Sequence, residues 1–193
     1  MEKERKQQIV RAAIKRFSKH GLKKTTLEEV ARDLRIGKAT IYHYFSSKEE
    51  LYFECVALEV RLFIEDIKMI FNNESIGINK RFLDYFGLKE NTPEKYKLLY
   101  SFIFENLKGN LFEHEKELLA RFFEEENSII KLVLSSVYSN KPEPMPVNLV
   151  RFLITHSWAL LFAENLTTTA LQEQPNENSN KDLLVKALEN LIT

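Results

Sequence analysis

The sequence predicts an all-α protein: an N-terminal three-helix head containing a helix-turn-helix, followed by a larger helical body. Three observations carry that expectation. Apolar residues recur at i, i+3, i+4 and i+7 along most of the chain, the spacing that gathers them on one face of a helix. Helix-start chemistry occurs twice in close succession, as Thr26 with Glu29 and as Ser47 with Glu50. The chain has only five Gly and five Pro, and few Val or Thr runs of the kind strands need.

The first helix is read over Ile9 to Lys19, with Ile9, Ala13 and Phe17 four apart, ending at His20-Gly21, where glycine suits a left-handed cap. Residues 1–8 are a charged lead containing Lys3, Arg5 and Lys6. Thr26 opens a second helix whose stripe is Leu27, Val30, Ala31 and Leu34. Arg35, Ile36 and Gly37 interrupt the pattern, and Lys38 to Phe45 forms a third, short helix. At about 100° per residue, Ile41, Tyr44 and Phe45 fall on one side of it. The other side shows Lys38, Ala39, Thr40, Tyr42 and His43. Most of these can donate hydrogen bonds to phosphates or base edges, and the helix itself carries no carboxylate to repel DNA. Helix, short turn, helix is the geometry that sets a second helix in the major groove. Thr26 and Lys48, at the helix starts beside it, are expected on phosphates.

These residues resemble a known family. Ile9, Ala12, Ala13, Phe17, Gly21, Thr25 and Thr26, then Val30-Ala31, then Thr40-Ile41-Tyr42-His43-Tyr44-Phe45, then Ser47-Lys48-Glu49-Glu50-Leu51 are similar to the DNA-binding domain of tetracycline-repressor (TetR) family regulators. The resemblance covers roughly residues 5–55. Arg35 stands where a glycine is usual in the turn, and Gly37 where a serine or threonine usually caps the recognition helix. A non-glycine at positive φ costs on the order of 1 kcal/mol, and glycine in place of a serine cap about a few tenths. The resemblance implies a helical body that holds a small molecule and pairs with a second copy. Residues 1–50 are therefore expected to be the DNA-binding domain and 51–193 the ligand-binding and dimerisation domain.

Charge agrees with that division. The whole chain is formally neutral, but residues 1–50 carry 13 Lys+Arg and 7 Asp+Glu, a net of +6, and the remainder a net of −6. A basic head on an acidic body suits a head that meets phosphates.

In the body, Lys48 to about Phe71 reads as one long helix, a lever from the head. A short helix over Ile78 to Leu88 is expected to break near Gly87. Thr92 is expected to cap the next helix, with Pro93 in its first turn, Tyr96 to Leu107 along it and Gly109 at its end. Glu113 to Tyr138 is a long amphipathic helix. KPEPMP at 141–146 is a loop. Val147 to Leu166 is apolar almost all round, which points to a partner subunit covering it. Leu184, Ala187, Leu188 and Leu191 stripe a last helix. The expected dimer interface is Phe152, Leu153, Leu160, Leu161, Leu184, Leu188 and Leu191.

The body is rich in aromatic residues, and the chain has fourteen Phe and seven Tyr. The resemblance implies an apolar cavity, for which the candidate lining is Phe63, Tyr100, Phe102, Phe104, Phe122, Phe123, His156, Trp158 and Phe162. Few charges are expected to be buried there, and Glu124-Glu125-Glu126 reads as a solvated face. The ligand is accordingly expected to be small and apolar or aromatic.

No Gly-rich phosphate loop, G-x-S-x-G or HExxH occurs, and the four His are scattered. The chain is therefore not expected to be an enzyme, nor to need a metal or cofactor. The single Cys55 makes no internal disulfide and fits a reducing compartment. With no apolar run long enough to span a bilayer and no apolar segment in MEKERKQQ, a cytoplasmic protein is expected. The expected function is that of a repressor that binds a palindromic operator as a homodimer and is released by a small effector. The rival readings are a helical DNA-binding structural protein without a ligand, and a helical-bundle enzyme with an aromatic pocket.

Overall fold

The computed structural model describes residues 2–107, 109, 112–139, 141–171 and 186–189, and the side chains of all of these except 164–171. The described residues form helices α1 (Glu2–His20), α2 (Leu27–Asp33), α3 (Lys38–Tyr44), α4 (Lys48–Asn72), α5 (Ile78–Glu90), α6 (Thr92–Lys95), α7 (Lys97–Leu107), α8 (Glu113–Tyr138) and α9 (Leu149–Leu171). A further helical turn spans residues 186–189, and no strand occurs among the described residues. Contacts divide the chain into two compact units: residues 1–62 with 93–119, and residues 63–92 with 120–193. Helix α4 contributes to both.

The first unit is built on α1. Ile9, Ala13 and Phe17 are buried, and Gly21 ends the helix at φ 75 with its amide donating to the Phe17 carbonyl at 2.8 Å. The Thr26 amide donates to Glu29 Oε2 at 3.0 Å and the Glu29 amide to Thr26 Oγ1 at 3.3 Å, a complete capping box on α2. Arg16 braces α1 against α2. Its Nε donates to Asp33 at 2.7 Å, its Nη2 to the other Asp33 oxygen at 2.9 Å, and Nη1 lies 3.2 Å from Glu29. These contacts hold the Asp33 carboxyl below its ordinary range. The Cys55 thiol lies fully buried on α4 and donates to the Val10 carbonyl at 3.5 Å; burial pushes its pKa up.

Three features of the body differ from the sequence expectation. Gly87 does not break α5, which runs on to Glu90, because a lone glycine costs a helix only about 1 kcal/mol. Asn91 ends it instead, its amide and Nδ2 both donating to the Gly87 carbonyl, at 3.1 and 2.8 Å. Thr92 does not cap the Tyr96–Leu107 helix: it is buried, and its hydroxyl turns back to donate to Leu88 O at 3.2 Å. The cap of α7 comes from α4, where the buried Glu59 carboxylate accepts from the amides of Leu98 and Leu99 at 3.0 and 2.9 Å. That carboxyl is pushed up to about 7 because desolvation outweighs the two amide bonds.

On α9, the buried stripe is Leu149, Val150, Leu153, Ile154, Ser157, Trp158, Leu161 and Phe162. Arg151, Phe152, Thr155, His156, Ala159 and Ala163 face outward, with Leu160 half-buried.

Candidate nucleic-acid interface and buried polar cluster

Helix α3 has two turns and one fully buried anchor, Ile41, with Phe45 buried just past its end. Its entry departs from the usual turn chemistry in a visible way. Arg35 sits at φ 55, the left-handed region, with its amide donating to the Arg32 carbonyl and the Ile36 amide to the Ala31 carbonyl, both at 3.0 Å. Gly37 caps α3 with extended backbone and no side-chain bond.

The structure places Lys38, Ala39, Tyr42 and His43 on the exposed side of α3, with Thr40 half-buried. Tyr42 is 44% exposed, large for an aromatic ring. One neighbour was not legible from the helix pattern. Glu28, on α2, receives both the Lys38 ammonium at 2.5 Å and the Tyr42 hydroxyl at 3.2 Å. The Lys38 ammonium also lies 5.4 Å from the centre of the Tyr42 ring. The side-chain bond from Lys38 is the main cause that lowers the Glu28 carboxyl to about 2. Thus α3 has no acidic residue of its own, yet α2 delivers one to its outward face. The only sequence signal was position: Glu28 precedes the capping Glu29 in the first turn of α2.

The flanking candidates have structural duties as well. Thr26 closes the α2 capping box, and its hydroxyl lies on the exposed side. Lys48 donates to the Leu22 carbonyl at 3.2 Å, tying the α1–α2 loop to the start of α4. The second capping signal is realised one residue off: the Glu50 amide donates to Ser47 Oγ at 3.0 Å, but its carboxylate accepts from the Ser46 amide at 2.8 Å. His43 Nε2 lies 3.8 Å from a Glu2 carboxylate oxygen.

In the second unit, four of the aromatic candidates gather around a fifth, Trp158. Phe63 and Phe122 have ring centres 5.6 and 6.0 Å from it, Phe123 6.3 Å and Phe162 6.4 Å. Tyr100, Phe102 and Phe104 lie on α7, in the first unit. His156 is exposed, its ring tilted against that of Phe152 with centres 4.0 Å apart. Of the interface candidates, Phe152 and Leu160 reach the surface, whereas Leu153, Leu161 and Leu188 are buried within their own chain. Leu184 and Leu191 lie outside the described residues.

The expectation of few buried charges is corrected here. Lys89, 1% exposed, and Glu126, fully buried, form an ion pair at 2.8 Å. Lys89 also donates to Ser157 Oγ at 2.7 Å and stands over the rings of Tyr85 and Trp158, 4.6 and 4.8 Å from their centres. Glu126 accepts from the Tyr85 hydroxyl at 2.8 Å and from Trp158 Nε1 at 3.1 Å. Glu124 and Glu125 are exposed as expected; only Glu126 of the three turns inward. Desolvation lowers Lys89 to about 8 despite its partner.

Comparison with known proteins agrees with the head in detail and with the fold throughout. The family model described as bacterial regulatory proteins, tetR family, matches residues 9–55. The biofilm operon icaADBC negative transcriptional regulator IcaR of Staphylococcus aureus is 28% identical over 130 residues, 62% of this chain and 70% of that protein. The transcriptional regulator YhgD of Bacillus subtilis is 47% identical over 51 residues, 26% of this chain and 27% of its own length. Among solved structures, the regulator FadR of Bacillus subtilis in complex with stearoyl-CoA superposes with a TM-score of 0.67, at 15% identity and covering 97% of both chains.

Proposed function

We infer that the chain is a DNA-binding transcriptional regulator of the TetR type, that it represses genes by binding a palindromic operator as a homodimer, and that a small effector releases it. The observation that carries the reading is the outward face of α3. A cation, a small residue, a phenol and an imidazole stand exposed on a helix anchored by Ile41. Residues 1–50 are the DNA-binding domain, and residues 51–193 hold the effector and the second copy. Repression is favoured by the name of IcaR, a negative regulator.

Lys38, Ala39, Thr40, Tyr42 and His43 meet the operator's bases or backbone, and Thr26 and Lys48 meet phosphates. The effector has an apolar or aromatic body and sits against Phe63, Phe122, Phe123, Trp158 and Phe162. FadR, whose solved complex holds stearoyl-CoA, lends the idea of a body-bound apolar group some support. Phe63 lies on α4, the same helix whose first turn follows α3, so a ligand pressing on Phe63 acts on an element shared with the head. DNA and ligand then compete through that element, each lowering the other's affinity by the same factor, typically about 5–150-fold. Such a chain works where the DNA is, in the cytoplasm.

The test is selection of a binding site from random duplex DNA, followed by gel shift. His43→Ala should cost about 1–3 kcal/mol on the selected site and relax its sequence preference. Lys48→Ala should weaken all sequences alike and reduce the salt slope by about one. Selected DNA bound equally by wild type and both variants would refute the assignment of this face.

A further inference from the structure

The buried cluster of the second unit has the composition of a cation receptacle. Around the Lys89 ammonium stand the Glu126 carboxylate, the Ser157 hydroxyl oxygen and the faces of Tyr85 and Trp158. A carboxylate, an oxygen lone pair and two negative ring faces all attract positive charge. Of the neutral donors, the Tyr85 hydroxyl and Trp158 Nε1 are turned onto Glu126, and the Ser157 hydroxyl donates to the Ile154 carbonyl at 3.0 Å. Take the ammonium away and a buried anion remains, already held by two hydrogen bonds and walled by aromatic rings. An incoming anion would meet that carboxylate; an incoming cation would replace the charge it lost.

Lys89 is a poor permanent occupant of so dry a place. A primary ammonium is strongly hydrated, and burial lowers its pKa from 10.5 to about 8, so the site favours its charged form less than water does. A quaternary or tertiary ammonium gives up less hydration on entering and is the cation that aromatic cages recognise best. Lys89 is the penultimate residue of α5, and its long stem lets the head group move without moving the helix. Beyond Trp158, Phe63, Phe122, Phe123 and Phe162 offer rings to an apolar body attached to that charge.

We propose that this cluster is an organic-cation site in which Lys89 is a tethered stand-in, and that the effector is an aromatic or alkyl molecule bearing an alkylated ammonium that displaces Lys89 from Glu126, Tyr85 and Trp158. The proposal rests on the effector reading above and specifies the chemical class of its ligand.

Trp158 is the chain's single tryptophan and forms one wall of the cage, so its emission reports occupancy. The probes are benzyltrimethylammonium and, at similar size, the anion 4-tert-butylbenzoate, titrated into the full chain. The expected result is a saturable change with the cation, at least tenfold tighter than with the anion. Lys89→Met, which vacates the cage and leaves Glu126 in place, should tighten the cation at least tenfold; Glu126→Gln should weaken it at least tenfold. Circular dichroism checks that the variants fold, and the comparison of the two probes on wild type stands without them. Wild type that prefers the anion, treats the two alike, or takes neither overturns the proposal. Gel shift on the selected DNA separates this from the broader reading: release by the anion alone keeps an effector but removes this site, whereas failure to select any DNA removes the regulator reading itself.

Discussion

Glu28 changes what the outward face of α3 can do. A carboxylate holding Lys38 and Tyr42 fixes their positions, and on the proposal that this face meets DNA it also places negative charge where phosphates would approach. Glu28→Gln should therefore raise affinity for random duplex DNA while narrowing the margin between the selected site and random sequence. Fluorescence anisotropy on both DNAs checks this; an equal gain on both would mean that Glu28 only repels. Arg35 is a second single-residue test. Its left-handed φ of 55 is strained for any side chain, so Arg35→Gly should stabilise the fold by about 1 kcal/mol, read as a higher urea midpoint with unchanged slope. The position of Arg35 in the turn and the Thr26–Glu29 box were legible from the sequence because both are local, settled within three or four residues. Glu28 was not, because its partners lie 10 and 14 positions away across a turn, and no helical period connects them.

Among the helices, the start of α7 shows how a distant residue can replace local capping. Thr92 has the right side chain for a cap and Pro93 the right place, yet the helix begins five residues later under Glu59 of α4. Sequence reading takes the nearest plausible cap, and here the chain used its tertiary neighbour. The arrangement makes stability depend on pH. The Glu59 carboxyl has a folded pKa of about 7 against an ordinary 4.5, so the folded state holds its proton more tightly than the unfolded chain. Its contribution is full below about 4.5 and is lost as pH rises through about 7, a change on the order of 3 kcal/mol. Urea unfolding of wild type from pH 5 to 8 should show that loss, and Glu59→Gln should flatten it. A wild-type profile no steeper than the variant's would contradict the assignment.

For the molecule in its working state, α9 is the informative surface. Its outward residues, Arg151, Phe152, Thr155, His156, Ala159 and Ala163 with Leu160 at the edge, are mostly apolar or small past Arg151, and they lie on the helix from which a paired state was expected. If two copies meet there, Leu160→Glu buries an unpaired carboxylate at the contact. Analytical ultracentrifugation at micromolar concentration should find dimers for wild type and monomers for the variant, with DNA binding weakened accordingly. A two-fold pair requires half-sites at least one turn apart, about 34–36 Å. Leu188 would be the wrong residue to change, since it is buried in its own chain and its loss would unfold rather than separate. The same distinction marks the limit of the sequence. An apolar helix announces that it is covered, but which stripe faces its own core depends on neighbours far along the chain. Lys89 and Glu126 show this most clearly. Each sits among other charged residues, in LKEN and in EEEN, and only packing turns these two inward.

The head also carries its own clock. Cys55 is the single thiol of the chain, fully buried and hydrogen-bonded to the Val10 carbonyl of α1. A thiol reagent cannot reach it until α1 and α4 part locally, and even then only the thiolate reacts. In the regime where closing outruns reaction, the labelling rate equals the rate for a free thiol multiplied by the fraction of time the α1–α4 contact is open. One native residue thus converts a reaction half-life into an opening free energy, without a mutation or an added probe. A partner that grips the head, whatever its sequence, should lengthen that half-life in proportion to how firmly it holds those two helices together.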